Sequence, residues 1–182
     1  DYAEYFEWGD GNPADEDRRG YAVVLEGSMI RKARAGENPF GVISGNPSVV
    51  GDAAWNKWSG KHERDEFGTY IFEPYSQVEW EEPVEGEEPI RYSYQHDQFP
   101  PGVRPPKDAK VITHDEEGNP LMRRKVSAGF DKEAKYTPRK ERQEWDAVGL
   151  MGKLRLRKGQ PTDPRWIKMR NVSANVEEWL VR

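Results

Sequence analysis

Up to Pro164 no stretch of this chain runs more than eleven residues before a glycine or a proline interrupts it. There are 17 glycines and 14 prolines among 182 residues, spread along the whole length, and the apolar runs between them are short. That punctuation leaves little room for long helices and is the signature of a mainly β fold built from short strands and hairpins. Tyr2 to Trp8 reads as a strand, followed by the polar turn Gly9-Asp10-Gly11-Asn12-Pro13. Gly20 to Leu25 and Met29 to Ala33 read as a hairpin across Glu26-Gly27-Ser28, with Gly27 supplying the positive φ that such turns require. Phe40 to Gly45 and Pro47 to Gly51 continue the series. Ala147 to Arg157 reads as a further strand, with two glycines where a side chain would obstruct something.

The middle differs in kind. Seven acids and no base lie between Glu73 and Glu88, flanked by strand-like Tyr70-Ile71-Phe72 and Ile90 to Tyr94, so the segment is expected to form an exposed acidic hairpin arm. Phe99 to Pro106 holds four prolines and can be neither helix nor central strand. A second hairpin is expected around Asp115 to Asn119, a short helix from Pro138 opened by Thr137, and a last helical turn capped by Asn175 with Glu178. The domain reading is a β unit over 1–73, a variable arm over 74–135 and a closing segment over 136–182. Residues 139 to 170 carry ten bases against four acids, opposite in sign to the acidic middle. Such segments either complement one another, within or between protomers, or form two solvated faces.

Composition excludes several classes. No run approaches the roughly 18 apolar residues of a membrane helix, so no membrane partner is expected. With a pI of about 5.4, no nucleic-acid partner is expected either. The absence of cysteine removes disulfides, thiolate catalysis and cysteine-ligated zinc. Leu, Ile, Val and Phe total only 32 residues, a thin aliphatic core, yet 21 aromatics and a net charge of only -5 argue against disorder. Part of the stability is therefore expected from a partner surface, in an oligomer. The chain opens on Asp1-Tyr2-Ala3, which predicts a processed product or a fragment.

Catalytic signatures are mostly missing. Ser59-Gly60-Lys61-His62 and Met151-Gly152-Lys153-Leu154 lack the glycine spacing and the Ser/Thr of a phosphate loop, His62-Glu63 is followed by Glu66 where a zincin has histidine, and the other histidines, His96 and His114, are scattered. Asp10, Asn12, Asp15 and Asp17 do not match a calcium loop and read as a solvated turn. No cofactor and no metal are expected. What remains is the alternation of acids and aromatics in Asp1-Tyr2-Ala3-Glu4-Tyr5-Phe6-Glu7-Trp8, which sets carboxylates against apolar surface, where burial can tune them for acid/base work.

These residues carry a resemblance. Ala3-Glu4-Tyr5-Phe6-Glu7-Trp8-x-Asp10-Gly11-Asn12-Pro13, then Glu16 to Tyr21, then Gly41-Val42-Ile43-Ser44-Gly45-Asn46-Pro47-Ser48-Val49-Val50-Gly51, resemble the autoproteolytic intramolecular chaperone domain at the C-terminus of bacteriophage tail spikes and preneck appendages. Trp58-x-Gly60-Lys61, Arg64 to Gly68, Tyr136-x-Pro138-Arg139, Glu144-Trp145-Asp146 and Val148-Gly149-Leu150-Met151-Gly152-Lys153 continue it in order. The likeness covers about residues 1–70 and 136–158 and leaves 74–135 and the tail unmatched.

The resemblance implies a homotrimeric domain that promotes trimerisation and folding of the upstream spike or fibre of the same polypeptide. It then leaves by self-cleavage just before Asp1, as a single-turnover glutamic-type endopeptidase. It also implies that Asp1 and Glu4 belong to the cleavage machinery, that the work is done in the host cytoplasm during phage assembly, and that the domain is released from the mature virion. In an extended chain Glu4 lies about 10 Å along from Asp1 and faces the other side, so either the chain turns or Glu4 acts on a neighbouring protomer. Glu4 is expected to activate water, or to attack, at the carbonyl before Asp1, and the Asp1 carboxyl to polarise or protonate the departing amide. The alternatives are a non-cleaving trimeric tip or receptor-binding module, with its tryptophans contacting glycans, and a hydrolase acting on another molecule through paired carboxylates of the acidic middle.

Overall fold

The computed structural model describes residues 1–52 and 60–182. In chain order its strands are β1 (Tyr2–Glu7), β2 (Ala22–Glu26), β3 (Met29–Lys32), β4 (Gly41–Ile43), β5 (Val49–Val50), β6 (Phe72–Pro74), β7 (Gln77–Glu82), β8 (Ile90–Gln95), β9 (Lys110–Ile112), β10 (Met122–Arg124), β11 (Trp145–Arg157), β12 (Ile167–Asn171) and β13 (Val176–Val181). The one helical element among the described residues is a single 3₁₀ turn, Arg139–Glu141. The mainly β reading therefore holds. The chain divides into two units, one of residues 1–59 and 134–182 and one of residues 60–133.

The first unit is one eight-stranded sheet in the order β12-β13-β11-β4-β2-β3, with β1 against β11 and β5 against β1. The β2–β3 hairpin turns on Gly27, whose φ is +66°. β11 organises the rest. Its first half pairs antiparallel with β1, from Glu7 opposite Trp145 to Ala3 opposite Gly149, and with β4 at Val148 and Gly149. Its second half, from Gly152 to Arg157, pairs with β13. Between the halves an extra residue enters on β11, because Ala3 faces Gly149 while Tyr2 faces Met151. Gly152 then takes a φ of +113°. A bulge followed by a left-handed residue bends the strand and breaks its alternation.

The core shows the consequence. Val148 packs with Trp8, Val23, Ile30 and Ile43, and Phe6, Phe40 and Leu150 close around them. In an unbroken strand Leu154 and Leu156 would share that face. Instead they pack with Val42, Trp166 and Val181, and a Cβ built on Gly149 would lie 2.4 Å from Leu154 Cδ2. Leu154 therefore sits on the Gly149 face, opposite Val148. Gly41 lets β4 come in close, since a Cβ there would fall 2.4 Å from Val148 Cγ1 and 2.8 Å from the Gly149 carbonyl oxygen.

In the second unit β7 runs between β8 and β9, and β6 pairs with β10. The acidic segment is thus a strand and its hairpin loop. Gln77, Glu79 and Glu81 share one face of β7, while Val78 and Trp80 on the other are buried, with Trp80 stacked on Tyr92 at 4.9 Å and flanked by Tyr94 and Phe99. The turn at Asp115 to Asn119 forms, closed by the Asp115 N–H to the Asn119 carbonyl at 2.8 Å. Its arms pair outward, β9 with β7 and β10 with β6.

Three further expectations are corrected. The helix from Pro138 shrinks to a 3₁₀ turn with no side-chain cap from Thr137. The capped turn at Asn175 and Glu178 is strand β13, where Glu177 binds Lys168 and Glu178 binds Arg170. The aspartate turn is not simply solvated. Arg18, buried and with its guanidinium 4.3 Å from the Trp8 ring centroid, grips Asp10 through two bonds of 2.8 and 2.7 Å and holds that carboxyl down to about 2. Trp58 of the motif Trp58-x-Gly60-Lys61 lies outside the described residues.

Two outcomes follow from this packing. Gly41→Ala should lower unfolding free energy by about 1–3 kcal/mol, the usual cost of forcing a methyl into a filled site, as measured by urea unfolding. Asp146 accepts a 2.8 Å bond from Trp8 Nε1, but burial outweighs that bond and pushes its carboxyl above the ordinary 3.8. Stability from this group is present in acid and is lost as pH rises through the raised value. Asp146→Asn, which keeps an acceptor for Trp8, should match wild type at pH 3 and exceed it at pH 7.

Candidate functional site

The bend in β11 is where the chain's first residue is held. The Asp1 carbonyl accepts the backbone N–H of Ser48 at 3.0 Å and of Val49 at 3.2 Å, and the Asp1 nitrogen lies 3.2 Å from Ser48 Oγ. β5 continues this clamp by pairing parallel to β1, Tyr2 with Val49 and Ala3 with Val50. From the other side the two glycines of β11 make room. A Cβ on Gly152 would lie 2.9 Å from Asp1 Cα, and one on Gly149 would lie 3.0 Å from Asp1 Oδ2. The obstruction implied by two glycines in this strand is therefore residue 1 itself, together with Leu154.

Asp1 Oδ2 is buried and has no hydrogen-bond partner among the described residues. A buried acceptor without a donor is uncommon in native structures and is held at a cost. Next to it opens a cleft of about 1090 Å³ whose wall includes Asp1, Arg19, Ser44, Asn46, Lys153 and Arg155. Asp1 thus lines an accessible, polar cleft while its carboxyl oxygen Oδ2 is buried.

Glu4 lies elsewhere. It pairs with Val148, on the opposite face of the sheet from Ala3 and Gly149, and its Oε1 accepts a hydrogen bond from the Tyr2 hydroxyl. That bond leads the causes that raise the Tyr2 phenol above its ordinary value. The Tyr2 ring lies over Gly51, where any Cβ would collide with its hydroxyl. Next to it Asp52, at φ +48°, accepts the Tyr5 N–H at 3.0 Å and pairs with Arg139 at 2.6 Å. Among the described residues no hydrogen bond or ion pair joins Glu4 to Asp1. The structure brings Asp1 together with Ser48, Gly149 and Gly152, and Glu4 together with Tyr2.

The sequence reading gave no role of their own to Ser48, Tyr2 or the Asp52–Arg139 pair. The blocks that meet at Asp1, Asn46-Pro47-Ser48-Val49-Val50-Gly51 and Val148 to Lys153, were legible as motifs, but separations of 47 and about 150 residues hid their convergence. Among the described residues no group of three or more His, Asp or Glu could hold a metal ion.

Comparison with known proteins places this geometry. A family model described as Peptidase_G2, IMC autoproteolytic cleavage domain, matches residues 1–179, so it extends through the middle and most of the tail that the motif likeness left unmatched. The pre-neck appendage protein of Bacillus phage B103 is 32% identical over 158 residues, covering 86% of this chain and 14% of that protein. The pre-neck appendage protein of Bacillus phage phi29 matches with the same identity and coverage. The chain thus spans about a seventh of the length of these relatives. The crystal structure of the phi29 gene product 12 C-terminal fragment superposes over 100% of both chains with a TM-score of 0.66 at 26% identity. That of the pre-mature phi29 gene product 12 superposes with a TM-score of 0.67, over all of this chain and 21% of the other.

Gly152→Ala combines a φ of +113° with a methyl driven against Asp1 Cα, and should displace residue 1 from its clamp. Amide exchange at Ser48 and Val49 is expected to accelerate at least about tenfold, since both would lose their acceptor. Gly159→Ala, also at positive φ but facing open space, should leave those two amides unchanged.

Proposed function

The chain belongs to the Peptidase_G2 family, the IMC autoproteolytic cleavage domains, and on that premise we propose that it is the C-terminal intramolecular chaperone of a phage spike, fibre or appendage. In this reading it draws three copies of its parent chain together, promotes their folding, and is cut free just before Asp1. The observation that carries the cleavage site is the clamp on residue 1. Ser48 and Val49 fix the carbonyl after the scissile nitrogen, and Gly149 and Gly152 admit the residue to the bend of β11. A bond held this tightly on one side, with a polar cleft next to it, is positioned for attack from the open side.

The chemistry assigned is a single-turnover hydrolysis of glutamic type. Glu4 takes a proton from water, the water oxygen bonds to the carbonyl carbon before Asp1, the C–N bond breaks, and the nitrogen of Asp1 leaves with an added proton as an amine. The Asp1 carboxyl polarises the departing amide from a buried position, where its field is little screened. Glu4 and Asp1 lie on opposite faces of the sheet within one copy, which supports a site completed by Glu4 of the partner subunit. Cleavage would then wait on assembly, as suits a chaperone that leaves once its trimer is built. The scheme uses no cofactor. It places the work in the host cytoplasm during phage assembly, with the upstream spike and two further copies of this chain as partners.

The test uses a precursor extended upstream of Asp1. Wild type should split to leave a fragment beginning at Asp1, read by intact mass, that sediments near three times 21.0 kDa. Glu4→Gln should stay whole and trimeric, slower by at least about 100-fold. Co-folded with an Asp1→Ala precursor, the Glu4→Gln chain should be cut in mixed trimers only. If wild type stays joined to the spike, a permanent trimeric tip becomes the better account.

A further inference from the structure

The hydrolysis above leaves one proton without a visible donor. An amide nitrogen is expelled only if it is protonated as the C–N bond breaks, because a free amide anion is too basic to leave. In this structure the Asp1 nitrogen stands in for that scissile nitrogen. The side chain it touches is not its own carboxyl, which is turned into the wall by Gly149, but Ser48, whose Oγ accepts a hydrogen bond from the Asp1 nitrogen at 3.2 Å, the contact left after a proton has passed from Oγ to nitrogen. We propose that Ser48 is a catalytic residue of the self-cleavage, the immediate proton donor to the departing nitrogen of Asp1.

The inference rests on cleavage occurring before Asp1 and adds to that reading the residue that serves the leaving group. Ser48 is well built for the role. Its backbone N–H and that of Val49 both bond the Asp1 carbonyl, so the segment that presents the hydroxyl is locked to the residue it serves. Val49 and Val50 extend the lock by pairing with Tyr2 and Ala3. Pro47 fixes the chain just before it. Ser48 is exposed, so water can reach its hydroxyl. The step balances. As the C–N bond breaks, the Ser48 Oγ–H proton passes to nitrogen while Oγ takes one from a water molecule, in one concerted relay. That water is in turn restored by the proton which Glu4 removed from the attacking water. Nothing is oxidised or reduced, and one water is consumed for each bond cut.

The extended precursor tests this, as wild type, Ser48→Ala and Ser48→Thr, with cleavage timed by gel and intact mass from pH 5 to pH 8. Ser48→Ala should slow cleavage about 100-fold at pH 8, the lower range for loss of a general acid, and Ser48→Thr should recover to within about tenfold. The deficit of the alanine variant should shrink to under about tenfold at pH 5, where solvent protonates the nitrogen unaided. A merely structural serine would give a deficit independent of pH, and that result overturns the proposal. Cleavage of Ser48→Ala at the wild-type rate overturns it too. If wild type itself is not cut before Asp1, it is the parent reading that fails. Should the alanine variant not form trimers, Ser48→Val against Ser48→Thr asks the same question, since the two match in shape and differ in the hydroxyl.

Discussion

The structure depends on how closely three pieces of backbone approach one another at the middle of β11. Val148 and Gly149 lie against β4, where only Gly41 leaves space, and Gly149 and Gly152 lie against residue 1, where only glycine does. The extra residue between Gly149 and Met151 and the left-handed Gly152 bend the strand there, so one 13-residue strand serves two apolar clusters on opposite faces. A continuous strand could pack Val148 or Leu154 against the core it now has, but not both. The bend that lets a thin set of aliphatic residues fill two cores is also the seat of Asp1. Fold and site share one set of glycines.

That arrangement separates the two carboxylates. β1 is extended from Tyr2 onward and alternates its side chains, so the Asp1 carboxyl faces the Gly149 side while Glu4 faces the Val148 side and is engaged by Tyr2. The Ser48–Val49 clamp holds the backbone of Asp1, and Tyr2 bonds the Glu4 carboxylate. Within one copy the two carboxylates stand apart, and under the proposed scheme a neighbouring copy unites them.

Several of the charges pair within their own unit. The basic C-terminal stretch does not stand as a bare cationic face, because Lys168, Arg170 and Arg155 pair with Glu177 and Glu178 across β12, β13 and β11, and Arg165 pairs with Asp163. In the acidic middle Glu73 pairs with Arg123 and Glu81 with Arg91. Exposed pairs of this kind contribute little to stability one by one. Apart from the loop pair Arg165–Asp163, their effect is on register, since each joins strands already in a ladder and penalises a slip that would bring like charges together.

The sequence by itself determined the architecture class and the position of most strands. Glycine and proline cut the chain into short segments, and Gly27, Asn119 and the Phe99–Pro106 prolines mark turns by local backbone preference, which needs no tertiary context. It also made the family legible, through short motifs carrying Asp1 and Glu4. Local rules failed where contacts override propensity. Asn175 to Glu178 has a helix-capping pattern, yet β11 offers a partner edge and the segment becomes β13. Pro138 opens only a 3₁₀ turn. Thr113 and Leu121 pair at the base of a hairpin as the sequence suggests, but their strands continue to other partners. Tertiary structure alone decided what the two glycines of β11 make room for, which hydroxyl meets the Asp1 nitrogen, and that Glu4 is turned away from it. These facts join residues 1, 48 and 149–152, and contacts over such separations are set by sheet register and by a bend in one strand, which no local pattern of residue types encodes.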